Sequence, residues 1–595
     1  VLVTIALIFI SFALWIIAST PPASSFEISM YDAYPGYFWF FLIAAIACGI
    51  VILVHMAFDE NVSPWWLAGY SVILFTNLII LLLPIFRGYA ASRRFDTLDH
   101  IGFIKDILLT GHFLGNNLYP RNHIIAASTS YIAGLKPELL VLLLPTLFFL
   151  FYIVSLHLFS RICARSSGET LLITVFGSLL LFSDQNSMFF PTLQCFQMAP
   201  FILFLLYGAK CNTPKSAKYS FLLIMNLFLV PFTHPGEGTL FLLFIFSCIA
   251  LMPAILRRVR ISSGIVPSTP LCFREMAVVL GFCFIVWFTW FSYFVSFTQN
   301  INKVFEWLVR HIGGSTFTFY KETYGQAITM SGFTVIQLID IFIKMYGQLA
   351  LYLLAAFAIS IFYLRKLIFS PKQVSQVGVA FTFLFTAVGM ATLVFILSFP
   401  HNSFIRNINY FIFIATILNG LGFYELINRQ NKKKVGAFLI SLFLIASVTI
   451  GVFNTFPSPI TRECYFHATH MEFEGTEWFL EHQNGESRSL QLTFALARFA
   501  KASAGSAIPA NFNGEGKEYQ PPNHFGYKEN RTLGMAFAKD MYFVDSRISR
   551  VAPLLFPEYV HLLKFMPKDF YYLDNHDPTT SRIYCNGEFW IYCVK

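Results

Sequence analysis

The sequence predicts a polytopic α-helical membrane protein of about thirteen spans that ends in a polar α/β domain. Three observations carry that prediction. The 595 residues are 56% hydrophobic and 12% charged, where a soluble domain carries roughly 25% charged residues. Repeated apolar runs approach the ~20 residues that cross a bilayer. Polarity then rises abruptly at Pro457 and stays high to the C-terminus.

The apolar runs lie at roughly 1–19, 38–57, 65–86, 137–160, 168–184, 189–209, 218–233, 238–255, 276–297, 345–366, 377–399, 406–424 and 436–455. The turns around 184–190 and 233–238 also fit re-entrant hairpins. Residues 1–19 lack the small-residue cleavage site of a signal peptide and read as a span. The first residue, Val1, is not Met, which implies a missing or processed N-terminus. Basic residues fall in every second loop: Arg161 and Arg165; Lys210, Lys215 and Lys218; Arg257, Arg258, Arg260 and Arg274; Arg365, Lys366 and Lys372; Arg429 and Lys432, Lys433, Lys434. Loops 20–37, 185–189 and 234–237 carry no Lys or Arg. The positive-inside rule makes the basic loops cytoplasmic. Loop 87–136, loop 298–344 and the tail then face outward from a plasma membrane. The net charge of +9 is therefore an orientation signal, and no nucleic-acid partner is implied.

Two domains follow, residues 1–455 in the membrane and 456–595 outside it. In the tail, EGTEWFLEHQ reads as a short helix. SLQLTFAL, DMYFVD and RIYCNGEFWIYCV alternate like strands, and Asn586-Gly587 is a favoured hairpin turn. The ten Cys show no CxxC and no zinc spacing. Cys585 and Cys593 fall on opposite faces of the last strand pair, and either has Cys464 as a candidate disulfide partner. Asn530-Arg531-Thr532 matches a glycosylation sequon.

The stretch RRFDTLDHIGFIKD, residues 93–106, is unusually charged for a span exit. Asp96, Asp99, His100 and Phe103 are spaced to share one helical face, so FDTLDHIGFIKDILLTGHF predicts an amphipathic helix on the membrane surface. Two carboxylates and an imidazole on one face suit acid–base chemistry; Asp96, Asp99 and His100 equally suit a Mg²⁺ or Mn²⁺ site. Lys105 and Asp106 read as solvating the far face. Downstream, Tyr119, Arg121 and His123 sit at the mouth of a hairpin whose second helix starts at Pro120. THPGEG offers His234 and Glu237 at the same level, and HNSFIRNINY offers His401, Arg406 and Tyr410. Arginine forks suit phosphate. Almost no charge lies mid-span, which disfavours an ion-coupled transporter.

These residues carry a resemblance. An acidic motif after a span, an amphipathic helix, many further spans and an outer C-terminal domain resemble the GT-C superfamily of integral-membrane glycosyltransferases. FDTLDHIGFIKDILLTGHF with LYPRNHIIAASTSYIAGL, FTHPGEGTLFLLF, IRNINYFIFIATILNGLG, the FPSPI linker with EGTEWFLE, and RIYCNGEFWIYCV look like archaeal members of that group. The resemblance covers most of the chain from residue 87, and the order of the motifs is its stronger part. Two spans precede the acidic loop, where many members have one.

The resemblance implies a GT-C-like fold and an inverting hexosyl or pentosyl transfer from a polyprenyl (dolichyl) phosphate to a glycan, lipid or protein acceptor amid membrane lipids. It implies Asp96 as general base, with Asp99 the second candidate and His100 assisting. Arg93, Arg94, Arg121, His234 and Arg406 are then candidates for the donor phosphate, and Tyr119, His123, Glu237, His401 and Tyr410 for the substrate. The only Trp-Trp pair, Trp65-Trp66, lies at the inner end of a span, which departs from the tail motif of oligosaccharyltransferases. A lipid-linked glycan flippase, or a non-catalytic scaffold with an outer binding domain, are the alternatives.

Overall fold

The computed structural model describes residues 1–59, 63–179, 183–209, 216–258, 273–310, 333–370, 375–398, 404–428, 433–483, 488–492, 495–505, 520–537, 540–555 and 564–595. Among them, ten helices are long and apolar enough to cross a membrane: Leu2–Ser19, Gly36–Ala57, Trp65–Phe86, Pro137–Cys163, Pro191–Gly208, Ser216–Thr233, Val335–Phe369, Gln376–Val394, Ile408–Asn428 and Lys433–Val452. The chain is a multi-pass membrane protein with a small C-terminal sheet. Of the other three expected spans, one is shorter. Ser167–Gly177 has only 11 residues, about 16 Å of helix, because the chain breaks into a 3-10 turn at Ser183–Ser187. The remaining two are the helices Glu237–Arg258, of 22 residues, and Phe273–Phe291, of 19 residues. In loop 298–344, the helix Val295–Arg310 and the first turns of Val335–Phe369 enter from either side. Residues 311–332 lie outside the described residues.

The bundle has two chemically distinct ends. Helix Pro137–Cys163 starts at Glu138, which pairs with Lys105 at 2.8 Å, and ends beside Arg165. There Arg165 meets Glu169 at 2.6 Å and Glu425 at 3.4 Å, and Glu425 also pairs with Lys366. Three charges of this network are buried, and mutual pairing is what allows that. The opposite end carries residues 87–136 and the polar C-terminal part.

Those two segments are sewn together. The backbones of Ala90, Ala91 and Ala468 exchange hydrogen bonds at 3.0 Å, and Arg94 N–H donates to Phe466 O at 2.9 Å. Loop 20–35 joins them: Phe26 N–H donates to Glu588 Oε2 at 3.0 Å, and Arg87 pairs with Glu27. Strands Arg488–Gln491 (β1), Met541–Ser546 (β2), Thr580–Cys585 (β3) and Phe589–Val594 (β4) form one sheet in the order β1-β2-β4-β3, with β1 parallel to β2 and the other pairs antiparallel. Alternation assigns its two faces. Val544, Phe589 and Ile591 join a cluster with Leu98, Ile101, Ile104 and Ala126 from the loop. Phe543, Tyr592 and Val594 pack on Phe525 and Phe570.

Three details differ from the sequence reading. In SLQLTFAL, residues 489–491 are strand and Leu496 already opens the helix Leu496–Ala504, while residues 493–494 lie outside the described residues. The hairpin turn advances by one residue: Asn586 N–H donates to Phe589 O, leaving Gly587 (φ 93°) and Glu588 as the loop. Cys464, Cys585 and Cys593 are all free thiols, Cys464 packed between Phe26 and Ile548.

Arg94 is the buried joint of this end. Its Nη1 lies 2.6 Å from Glu472 Oε1, its Nε donates to His467 O at 3.2 Å, and Phe26 and Phe499 flank it. The side chains are 1% and 2% exposed. Removing one partner strands the other charge, so Arg94→Met or Glu472→Gln is expected to destabilise by about 3–5 kcal/mol. Thermal unfolding in detergent, compared with the exposed-pair variant Asp340→Asn, measures this.

Candidate active site

The site begins at a strained entrance. Phe95, just before helix Asp96–Thr110, holds φ 65° and ψ −120°, a backbone conformation unfavourable for a bulky L-residue. The Arg94–Phe466 hydrogen bond fixes the residue before it, and the Arg498 guanidinium sits 5.8 Å from its ring. Asp96 and Asp99 follow in the first turn, where a carboxylate also favours the helix N-terminus.

Helix Leu496–Ala504 from the C-terminal part lies directly on this acidic helix. A Cβ at Gly102 would meet Lys501 Cγ at 2.6 Å and Lys501 O at 2.9 Å, so only glycine permits the approach. The contact brings Arg498 Nη1 to 2.9 Å from Asp96 Oδ1 and 3.3 Å from Asp99 Oδ2. Lys501 Nζ reaches Asp99 Oδ1 at 3.5 Å and sits 3.5 Å from the Phe103 ring centroid. The Asp96 side chain is 68% exposed and that of Asp99 28%. Burial pushes the Asp99 carboxyl above the usual aspartate range, against Lys501 and Arg498, which pull it down. Arg498 and Lys501 escaped the sequence reading. Their signal is the i, i+3 spacing in ARFAKASA, which sets both cations on one helical face.

His100 turns away from the two carboxylates. It is buried, and its Nδ1 lies 2.8 Å from His123 Nε2; His123 Nδ1 lies 2.8 Å from Asn117 Oδ1. The Tyr119 backbone N–H donates to that same Oδ1 at 3.1 Å, which identifies it as the acceptor oxygen. His123 therefore donates from Nδ1 and accepts at Nε2, and His100 donates from Nδ1. That leaves Nε2 of His100 as an unprotonated acceptor. Burial lowers His100 to about 4, with Asp96 opposing, and holds His123 well below the ordinary imidazole value. The predicted common face of Asp96, Asp99 and His100 is thus split. The carboxylates meet the basic helix, while the imidazole meets the helix Pro120–Ala133.

A third group lies one ring further on. Tyr119 meets the His100 ring edge-on at 6.0 Å and stacks on His234 at 5.4 Å. The His234 Nδ1 accepts from Gly238 N–H at 3.2 Å, so a neutral His234 carries its proton on Nε2. Beside them Arg121 Nη1 donates to Thr233 Oγ1 at 3.0 Å and lies 2.8 Å from Met198 Sδ. No carboxylate pairs with Arg121 among the described residues, and burial lowers it to about 10.

The remaining candidates fall elsewhere. Arg94 is the buried joint described above, and Arg93 lies 3.9 Å from Glu463; both face the tail rather than Arg121. Tyr410 is buried, and its hydroxyl donates to Gly238 O at 2.9 Å, supporting the His234 turn from behind. Glu237 and Arg406 start helices Glu237–Arg258 and Phe404–Asn428; their side chains and all of His401 lie outside the described residues. Lys105 and Asp106 are not solvating groups. Lys105 pairs with Glu138 and donates to Ser503 O at 3.3 Å, and Asp106 is buried against Gly505. Asp96 and Asp99 suit Mg²⁺ or Mn²⁺ poorly: two cationic side chains already neutralise them. No group of three or more His, Cys, Asp or Glu able to hold a metal occurs among the described residues.

The chain is similar to ArnT from Cupriavidus metallidurans. The likeness to its apo crystal structure has 10% identity and a TM-score of 0.41, over 88% of this chain and 97% of that one. For the crystal structure bound to undecaprenyl phosphate the values are 10%, 0.44, 89% and 98%. No protein-family model and no curated protein matches the chain.

The imidazole pair makes a pH prediction. Below an ordinary value of 6.5 the unfolded chain protonates its histidines, while the folded His100 stays neutral to about 4. Stability from this pair is complete above about pH 6.5 and falls as pH drops towards about 4. Melting temperatures across that window are expected to decline less steeply in His100→Asn than in the wild-type protein.

Proposed function

We propose that the chain is a GT-C-type membrane glycosyltransferase that moves a sugar, with inversion, from a polyprenyl phosphate to an acceptor on the outer face. The observation that carries this reading is Arg121: a half-buried guanidinium with no carboxylate partner among the described residues, next to the His234–Tyr119 stack and one ring from the His100–His123 pair. A cation partly withdrawn from water and lacking a counter-ion favours an anion that arrives to pair with it. A lipid phosphate at a membrane end supplies such an anion, and the arginine fork matches its geometry. Basic loops at the far end of the bundle support an outward orientation for the site.

The reaction assigns roles to the clusters. The acceptor hydroxyl gives its proton to the base as its oxygen bonds to the anomeric carbon. The bond from that carbon to the phosphate oxygen breaks on the opposite side, and its electron pair goes to the phosphate. The growing charge falls to Arg121 and the Nε2–H of His234. Asp99 is the better base of the two aspartates, because burial raises its proton affinity while Asp96 stands in solvent. Arg498 and Lys501 keep Asp99 ionised and in place. Nε2 of His100 is a second acceptor, fixed by the Asn117–His123 relay.

Removal of a general base slows transfer by about 10²–10⁴-fold. Asp99→Asn is expected to fall in that range and Asp96→Asn well short of it, in transfer from a labelled lipid-phosphate sugar by protein of unchanged melting temperature. Wild-type rates in both variants would refute a carboxylate base. Arg121→Lys is expected to weaken polyprenyl-phosphate binding about 10- to 100-fold, since the fork is lost.

A further inference from the structure

Beside the phosphate corner lies a set of buried amides that none of the roles above uses. The segment from residue 183 to 198 packs against helix Pro120–Ala133 at two points. Its Phe189 ring stacks on His123 at 6.0 Å, and its Met198 Sδ lies 2.8 Å from Arg121 Nη1. Between these contacts the helix Pro191–Gln197 carries Gln194 and Gln197. Gln194 is i, i+4 from Met198 and i, i+3 from Gln197, so all three share the side turned to Arg121. The facing helix carries Asn122 between Arg121 and His123, and Asn186 lies three residues before Phe189.

All four amides are 1% exposed. The oxygen and the nitrogen of each lack a hydrogen-bond partner among the described residues. Partners of the ordinary kind are within reach of this segment: the neighbouring Gln185 accepts from Asn409 Nδ2 at 2.8 Å. Amides that glue helices together in a membrane are bonded across the interface. Four that are not, at the head of a span, mark a place meant for a ligand. The chemistry of that ligand follows. An uncharged group that presents donors and acceptors together, as a hydroxyl does, matches the oxygen and nitrogen of each amide. It also lies next to the guanidinium.

We propose that Gln194, Gln197, Asn122 and Asn186 form the pocket for the sugar ring of the donor, its hydroxyls bonded to the amides while Arg121 holds the phosphate. The assignment rests on the lipid-phosphate reading of Arg121 and specifies how the sugar is selected.

Full-length protein in nanodiscs is titrated with farnesyl phosphate and with farnesyl-phosphate glucose, mannose, galactose and N-acetylglucosamine. The wild type is expected to bind at least one glycosylated lipid about tenfold tighter than the bare lipid. In Gln194→Leu and Gln197→Leu that preference should vanish while affinity for farnesyl phosphate stays. Ligand-free melting temperatures of these variants should be equal or higher, because a buried amide without a partner has become an apolar side chain of similar size. Three results overturn the pocket and leave the Arg121 reading intact: no preference for any of the four sugars, a preference retained in both Leu variants, or a lowered ligand-free melting temperature, which marks amides bonded to structural water. Failure of the wild type to bind farnesyl phosphate, with Arg121→Lys no different, overturns the lipid-phosphate reading and the pocket together.

Discussion

Helix Leu496–Ala504 can rest on helix Asp96–Thr110 only because residue 102 has no side chain. With Lys501 backbone where a Cβ would stand, the two helices are close enough for Arg498 and Lys501 to reach both aspartates. The same approach places Lys501 over Phe103, whose ring in turn stacks on His123 at 5.2 Å. Carboxylates, counter-ions and the imidazole relay are therefore set by one interhelical distance. A methyl group at Gly102 would separate them together, since close-packed elements shift as units rather than yielding atom by atom.

Two arginines at this end, Arg94 and Arg121, show how surroundings decide a role. Arg94 lies 2.6 Å from a carboxylate and between two aromatic rings. Its charge is already compensated, so an arriving anion would have to displace Glu472. Among the described residues, Arg121 bonds a hydroxyl and a thioether and meets no carboxylate. Neither offsets a desolvated charge, and the guanidinium keeps its full attraction for an anion. The sequence gives these residues the same chemistry; packing makes one a joint and leaves the other available.

Much of the architecture was legible beforehand. Apolar runs located the helices, since length and hydropathy are local properties. Polarity located the C-terminal part, and Pro120 marked the start of its helix. The expected span 168–184 ends early because hydropathy measures composition, whereas the helix stop at Gly177 and the turn at Ser183–Ser187 are backbone events. The site was half legible. Asp96, Asp99, His100, Tyr119, Arg121 and His234 come within a few rings of one another, as their shared level in the topology suggests. The division of the acidic face was not readable, because a helical wheel places side chains around an axis and does not say which neighbour each will meet. Arg498 and Lys501 were hidden for a plainer reason. No local pattern reports a contact between residues 402 positions apart.

That separation also sets an order in time. The acidic helix leaves the ribosome about 400 residues before its cationic partners, with many spans made in between. Until the tail has reached the same side of the membrane and docked, Asp96 and Asp99 stand without Arg498 and Lys501, and Gly102 lies bare. A chain still in synthesis thus carries half a centre, and the other half arrives with the tail.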